Sequence, residues 1–320
     1  MEETKLKLIN MANVQVEEVQ WLLYPLIPFG KITILQGDPG EGKTTVMLHI
    51  IAQLTKGESL AFVEEEIPYG PMNVIYQTAE DGLGDTIKPR LLDAGADCSR
   101  VLVIDDSEEV LTIDDDRLET ALEMTDAKLI VLDPLQGYLG AGVDMHRANE
   151  IRPLMHRLST IAEKYRCAVV LIGHMNKNSM GKPGYRGLGS IDISAAARSV
   201  IVCGRIKDDP EMRVLCQIKN SLAPEAKAIA FRLDRDTGFR WIGEVDVTAD
   251  ELMAGECKAS RLQEASSFLK EILAEGELAA TEVFAMAEGA EIKKKTLFNA
   301  KNQLGVKSIR KDNKWYWQIE

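Results

Sequence analysis

The sequence predicts an α/β protein: a mostly parallel central sheet with an antiparallel extension, followed by a small C-terminal domain of helices and a hairpin. Three observations predict it. Short, continuously apolar or β-branched runs alternate with longer stretches of helical periodicity, the pattern of β/α units whose strands are buried on both faces. After residue 190 the strand-like runs become closely spaced and are separated by turn residues, as in antiparallel pairs. Beyond residue 259 helical periodicity returns in three short segments and ends in two strand-like runs.

Taken in order, Lys31 to Leu35 reads as the first strand, with a helix over 43 to 56 behind it. Met72 to Tyr76, a helix over 84 to 94, Val101 to Ile104, a helix over 115 to 125, Lys128 to Leu132, a helix over 147 to 165, and Ala168 to Ile172 continue the alternation. Ser199 to Ile206, Met212 to Ile218, Ala228 to Leu233 and Phe239 to Ile242, broken by Asp-Pro, Ala-Pro and Asp-Thr-Gly turns, form the extension. Acids and small residues with little periodicity follow, so 246–259 reads as a linker between a domain over 1–245 and another over 260–320. Ser260-Arg-Leu-Gln263 is a capping-box pattern, and it opens a helix with Leu262, Ala265, Leu269, Ile272 and Leu273 on one face. A second helix runs from about Thr281 to near Gly289. A third starts near Lys293, carries Leu297, Ala300 and Leu304 inward, and stops at Gly305. Val306 to Arg310 and Trp315 to Ile319 read as a β-hairpin, and three helices followed by a hairpin make a winged helix-turn-helix.

Composition excludes several classes. With 320 residues, 45% hydrophobic and 28% charged, wholesale disorder and a membrane-embedded bulk are both excluded. The apolar run Trp21 to Phe29 is interrupted by Pro25 and Pro28 and has no basic segment before it, so it reads as neither signal peptide nor membrane span. Five cysteines (Cys98, Cys167, Cys203, Cys216, Cys257), without CxxC or Cys/His spacing, support neither a disulfide framework nor a zinc site and point to the cytoplasm. A net charge of −12 argues against a uniformly basic DNA-coating protein.

Gly37-Asp38-Pro39-Gly40-Glu41-Gly42-Lys43-Thr44 follows a predicted strand and opens a predicted helix, the context of a nucleotide-binding P-loop. The glycines let backbone N–H groups converge on phosphate, and the helix N-terminus adds positive potential. Lys43 supplies a point charge to the outer phosphates, and the Thr44 hydroxyl ligates Mg²⁺. From this composition, a chain of this length has about 0.01 chance matches to the pattern. Lys128 to Asp133 is an apolar strand ending in an acid, which would hold Mg²⁺ through water or orient Thr44 if its strand lies beside that of the P-loop. Pro134 follows instead of Glu, so the base that polarises the attacking water comes from elsewhere. Glu80, at the end of Val74 to Asp81, is the candidate, with Asp81 its competitor.

Together, the P-loop from Gly37 to Thr45, Ala79-Glu80-Asp81, Leu132-Asp133-Pro134, Gly173-His174-Met-Asn-Lys177, and Arg186-Gly-Leu-Gly-Ser190 leading to Ala197-Arg198 resemble the RecA-like superfamily of P-loop ATPases. More narrowly, they resemble the RepA-type hexameric replicative helicases of plasmids and mobile elements, over about residues 16 to 245. The resemblance implies ATP and Mg²⁺ as cofactors, Glu80 as catalytic base, Asp133 as the Mg²⁺-site acid and His174 as sensor of the γ-phosphate. It implies Arg198 as an arginine finger reaching a neighbouring subunit, which only an oligomer, here a hexamer, can supply. Lys219 matches a lysine of the family that could point across the same interface.

Two long connections, roughly 136 to 150 and 177 to 190, leave the carboxyl ends of their strands. In RecA-like rings such loops hold single-stranded DNA, so Arg147, Lys182, Tyr185 and Arg186 are candidate contacts. From Glu291 to Glu320 eight basic residues face three acidic ones, and Lys293, Lys294 and Lys295 lie on the helix that enters the major groove in helix-turn-helix proteins. The expectation is therefore an oligomeric DNA helicase or translocase whose winged helix recruits duplex DNA or a replication protein. A recombination ATPase without unwinding, or a nucleotide-switched DNA-binding regulator, is the alternative.

Overall fold

The structure is a computed structural model that describes residues 8–60, 70–175, 191–207, 209–234, 236–255, 259–274, 276–290, 292–311 and 314–319. A short hairpin, β1 (Trp21–Leu23) and β2 (Ile27–Pro28), precedes the main sheet. The chain then runs through β3 (Ile32–Gly37), α1 (Lys43–Lys56), β4 (Val74–Thr78), α2 (Lys88–Asp93), β5 (Val101–Leu102), α3 (Arg117–Thr125), β6 (Leu129–Asp133), α4 (Ala148–Tyr165) and β7 (Ala168–His174). A short helix α5 (Ile191–Ala196) leads into β8 (Ser199–Ile206), β9 (Asp209–Asn220), β10 (Ala228–Asp234) and β11 (Gly238–Val245).

Strands β3 to β11 form one nine-stranded sheet in the order β11-β10-β9-β8-β3-β7-β6-β4-β5. From β8 to β5 all neighbours are parallel, and β9, β10 and β11 add on antiparallel. The continuous apolar runs have their reason in two cores, one on each face. Leu35, Val74, Tyr76, Val131 and Val170 pack with α1 and α2, while Ile34, Ile75, Ile130, Leu132 and Leu171 pack with α3 and α4. Parallel pairing sends the carboxyl ends of β3, β4, β6 and β7 to a single edge, where chain reversals into helices leave loops and helix N-termini exposed.

Three departures from the sequence reading have local causes. The helix expected over 84–94 divides into a π-helical turn, Leu83–Ile87, and α2, with Pro89 accepted in the first turn of α2 because its missing N–H is unpaired there anyway. The stretch read as a linker, 246–259, contains a helix, α6 (Ala249–Ala254). It is opened by a Thr248–Glu251 capping box, closed by Gly255, and fixed by Leu252 packing on Gly204 of β8. β6 does not lie beside β3, because β7 sits between them.

The C-terminal region runs α7 (Ala259–Ile272), β12 (Leu278–Ala279), α8 (Ala280–Gly289), α9 (Lys294–Gln303), β13 (Lys307–Lys311) and β14 (Lys314–Gln318). Its strands pair antiparallel in the order β12-β14-β13. Leu269, Val283, Leu297, Ala300 and Trp317 make its core, whereas Trp315 is exposed. Among the described residues, no helix is long and apolar enough to cross a membrane.

Candidate functional site

The P-loop residues Gly37 to Thr45 link β3 to α1. Gly40 and Gly42 have φ of +79° and +89°, backbone that side chains rarely adopt. At Gly42 a Cβ would also stand 2.7 Å from Leu233 Cδ1. Gly37 is fixed by proximity instead: a Cβ there would meet the Cys203 carbonyl oxygen at 2.2 Å. Lys43 is buried, and its ammonium donates to the carbonyls of Gly37 and Asp38, both at 2.9 Å. Burial lowers the Lys43 pKa, with the Asp133, Glu41 and Asp38 carboxylates acting against it. A buried cation whose partners are loop carbonyls and an imidazole fits an anionic ligand, because phosphate would offset the desolvation.

His174, the last residue of β7, places Nδ1 3.4 Å from Lys43 Nζ and Nε2 4.0 Å from Glu80 Oε1. Glu80 lies just past β4, its side chain 65% exposed and open to incoming water. Its competitor Asp81 is diverted: its N–H donates to Thr78 Oγ1 at 3.1 Å and its carboxylate pairs with Arg90 at 3.1 Å. The turn carrying Glu80 is backed by Gly137, where a Cβ would come within 2.4 Å of Ala79 Cβ, and by an Ala79 N–H bond to the Asp133 carbonyl at 3.0 Å.

Asp133 lies on β6, one strand farther from β3 than the sequence reading required, and it still meets Thr44. Thr44 Oγ1 donates to Asp133 Oδ2 at 2.6 Å, and Tyr76 OH donates to the same oxygen at 2.8 Å. Burial raises the Asp133 pKa, opposed by these two hydrogen bonds. The donor set, one hydroxyl and one carboxylate, is hard oxygen and suits Mg²⁺ shared with phosphate. Among the described residues, no group of three or more His, Cys, Asp or Glu is arranged to hold a metal alone.

Other expected site residues lie elsewhere. Arg198 is exposed at the opposite edge, its backbone N–H bound to Ile32 O at the start of β3. The length of β3 separates it from the P-loop of its own chain by roughly 17 Å, beyond the reach of its side chain. The Lys219 ammonium caps the end of α5, donating to Ser194 O and Ala197 O at 2.8 Å. Arg147 pairs with Asp144 at 3.4 Å and Glu150 at 3.2 Å around the start of α4. Lys182, Tyr185 and Arg186 lie outside the described residues. Lys293 and Lys294 are exposed, Lys294 over the Phe284 ring, whereas Lys295 pairs with Asp246 at 3.4 Å.

Sequence reasoning missed Tyr76, Gly137, Arg205 and Arg213. The two arginines are direct partners across β8 and β9. Arg205 donates to Gly40 O at 3.1 Å and stands 3.8 Å from Glu41 Oε2. Burial raises the Glu41 pKa, with Arg205 and Arg213 opposing. No local signal marks these two residues, because sheet pairing alone brings them to the loop.

A phosphate-cradling loop after the central strand of this sheet, with an acid two strands away and a polar strand end between them, defines a RecA-like P-loop protein. Residues 2–180, more than half of the chain, match the family described as AAA domain, and the chain belongs to that family. Protein RecA of Ruminococcus albus is 27% identical over 246 residues, 71% of this chain and 57% of that protein. Protein RecA of Clostridium novyi is 26% identical over 239 residues, 70% of this chain and 64% of its own length. The chain thus spans less than two thirds of the length of these relatives. A KaiC-like protein from Pyrococcus horikoshii superposes with a TM-score of 0.49 at 18% identity, over 71% of this chain and 98% of that one.

Proposed function

We propose that the chain is an Mg²⁺-dependent ATPase that works on DNA as an oligomer, in the manner of the RepA-type replicative helicases. The observation that carries the reading is the convergence at one sheet edge of Lys43, His174 and Glu80 in one chain of contacts and Thr44 with Asp133 in another. In this reading the P-loop N–H groups and Lys43 hold the β- and γ-phosphates. Glu80 accepts the proton of the attacking water, and its exposure leaves room for that water. His174 touches both Lys43 and Glu80, so loss of the γ-phosphate changes its surroundings at the end of β7. Thr44 and Asp133 would hold Mg²⁺, which when bound neutralises charge developing on the phosphates.

Arg198 serves as a finger only for a neighbouring copy, and its position at the far edge of the sheet favours that role over one in its own subunit. The C-terminal elements are read as a winged helix with α9 as the recognition helix. Lys293 and Lys294 are then its phosphate contacts, and duplex DNA or a replication protein its partner. The 27% identity to RecA supports a second reading, a recombination or repair ATPase that does not unwind. The deciding experiment is ATP hydrolysis with and without single-stranded DNA, with light scattering to count subunits and strand displacement to separate the two readings. Stimulated turnover by a hexamer, abolished by Lys43→Ala, is expected. Turnover at the wild-type rate in Lys43→Ala sinks the site assignment.

A further inference from the structure

The geometry points to Tyr76 as the positioning residue of the metal-side carboxylate: its hydroxyl locks Asp133 so that one oxygen faces Thr44 and the other is presented to the cation. The inference rests on the nucleotide-site reading above. Tyr76 lies on β4, next to β6, with Tyr76 opposite Val131 and Thr78 opposite Asp133. The Tyr76 ring is fully buried in the apolar core that also holds Met47, Val74 and Val131, a place that a phenylalanine ring would fill equally well. The hydroxyl therefore serves something besides packing, and its partner is Asp133 Oδ2 at 2.8 Å.

That same oxygen accepts the Thr44 hydroxyl at 2.6 Å, so the two donors flank it. Oδ1 has no hydrogen bond among the described residues and is the oxygen left for a cation or its water. A carboxylate that is 8% exposed and held by one flexible hydroxyl can turn about its Cβ–Cγ bond. A donor fixed on a rigid ring in the neighbouring strand removes that freedom, as outer partners of metal ligands do elsewhere. Tyr76 touches neither nucleotide nor metal and acts through Asp133.

The test uses the full chain and the fluorescent nucleotide mant-ADP, titrated in EDTA and across Mg²⁺ concentrations, with Mn²⁺ binding followed by electron paramagnetic resonance. Tyr76→Phe should leave the affinity for mant-ADP in EDTA within about twofold and raise the half-saturating Mg²⁺ and the Mn²⁺ dissociation constant about 10-fold. In an Asp133→Asn background the same change should add nothing, because the hydroxyl works through that carboxylate. 4-Aminophenylalanine at position 76 keeps a weaker donor on the same ring and should recover part of the metal affinity. If Tyr76→Phe does not fold, this variant is compared with the wild type directly, and metal affinity equal to the wild type overturns the inference. Unchanged Mg²⁺ and Mn²⁺ dependence in folded Tyr76→Phe overturns it too, as does an undiminished effect in the Asp133→Asn background. A wild-type chain that binds no mant-ADP removes the nucleotide reading itself, an outcome distinct from either.

Discussion

Replacing Gly137 with alanine should disable chemistry while sparing nucleotide binding. Gly137 lies in the turn after β6, and a Cβ built there stands 2.4 Å from Ala79 Cβ. Carbon atoms in contact settle at about 3.5–4.0 Å, so one backbone or the other must retreat by about 1 Å. The retreat reaches the segment carrying Glu80 because Ala79 is its chain neighbour, and it strains the Ala79 N–H bond to the Asp133 carbonyl, 3.0 Å long. Overpacking of this kind costs about 1–3 kcal/mol of stability, and a displacement of about 1 Å at a reacting group costs about 100-fold in rate. Lys43 and Thr44 have no part in this contact, so nucleotide affinity should change by less than about threefold. Steady-state ATP hydrolysis gives kcat, mant-ADP binding gives affinity, and thermal unfolding gives stability. The expected outcome is a kcat lower by about two orders of magnitude with binding retained, matching Glu80→Gln. A kcat within twofold of wild type at an unchanged melting temperature would refute the reasoning, since the clash would then have been absorbed without moving Glu80.

Arg198→Ala should leave the melting temperature unchanged, because the side chain is exposed, and mixing it with wild-type subunits should poison turnover. Activity that merely dilutes in proportion contradicts a role across the interface. Replacing Lys293, Lys294 and Lys295 together by alanine should weaken duplex binding and lower the slope of log K against log salt by about 2 to 3. Lys295, already paired with Asp246, should contribute least, and an unchanged slope assigns all three to a solvated face. His49 in α1 stacks on Phe239 at 3.8 Å, and burial lowers its pKa from 6.5 to about 4. The unfolded chain therefore binds more protons between these values, so this contribution is whole above pH 6.5 and is lost as pH falls towards 4. The full shift corresponds to about 3 kcal/mol, reduced to about 2 kcal/mol because the half-buried imidazole is partly screened by solvent. Denaturant unfolding from pH 7 to pH 4 should show a steeper loss in wild type than in His49→Phe, and parallel curves would exclude the linkage.

Much of this fold could be read along the chain because its causes are local. Runs such as Leu129 to Leu132 are apolar at every position, and no arrangement but a strand covered on both faces suits them. The glycines and Lys43-Thr44 announce a phosphate loop by spacing alone. α6 escaped notice because six residues carry too little periodicity, although its Thr248–Glu251 box was there to see.

The sequence by itself determined which chemical groups this protein owns and at which strand ends they fall: Lys43 and Thr44 after one strand, Glu80 after another, Asp133 and His174 at two more. Tertiary structure alone decided which of them meet. β7 entered between β3 and β6, so His174 stands between Lys43 and Glu80, and Asp133 reaches Thr44 from two strands away. Tyr76, Gly137, Arg205 and Arg213 acquired their places in the same way. Contacts between residues 57, 58 or 165 positions apart are set by strand order and register, and neither is written in any one segment of the chain.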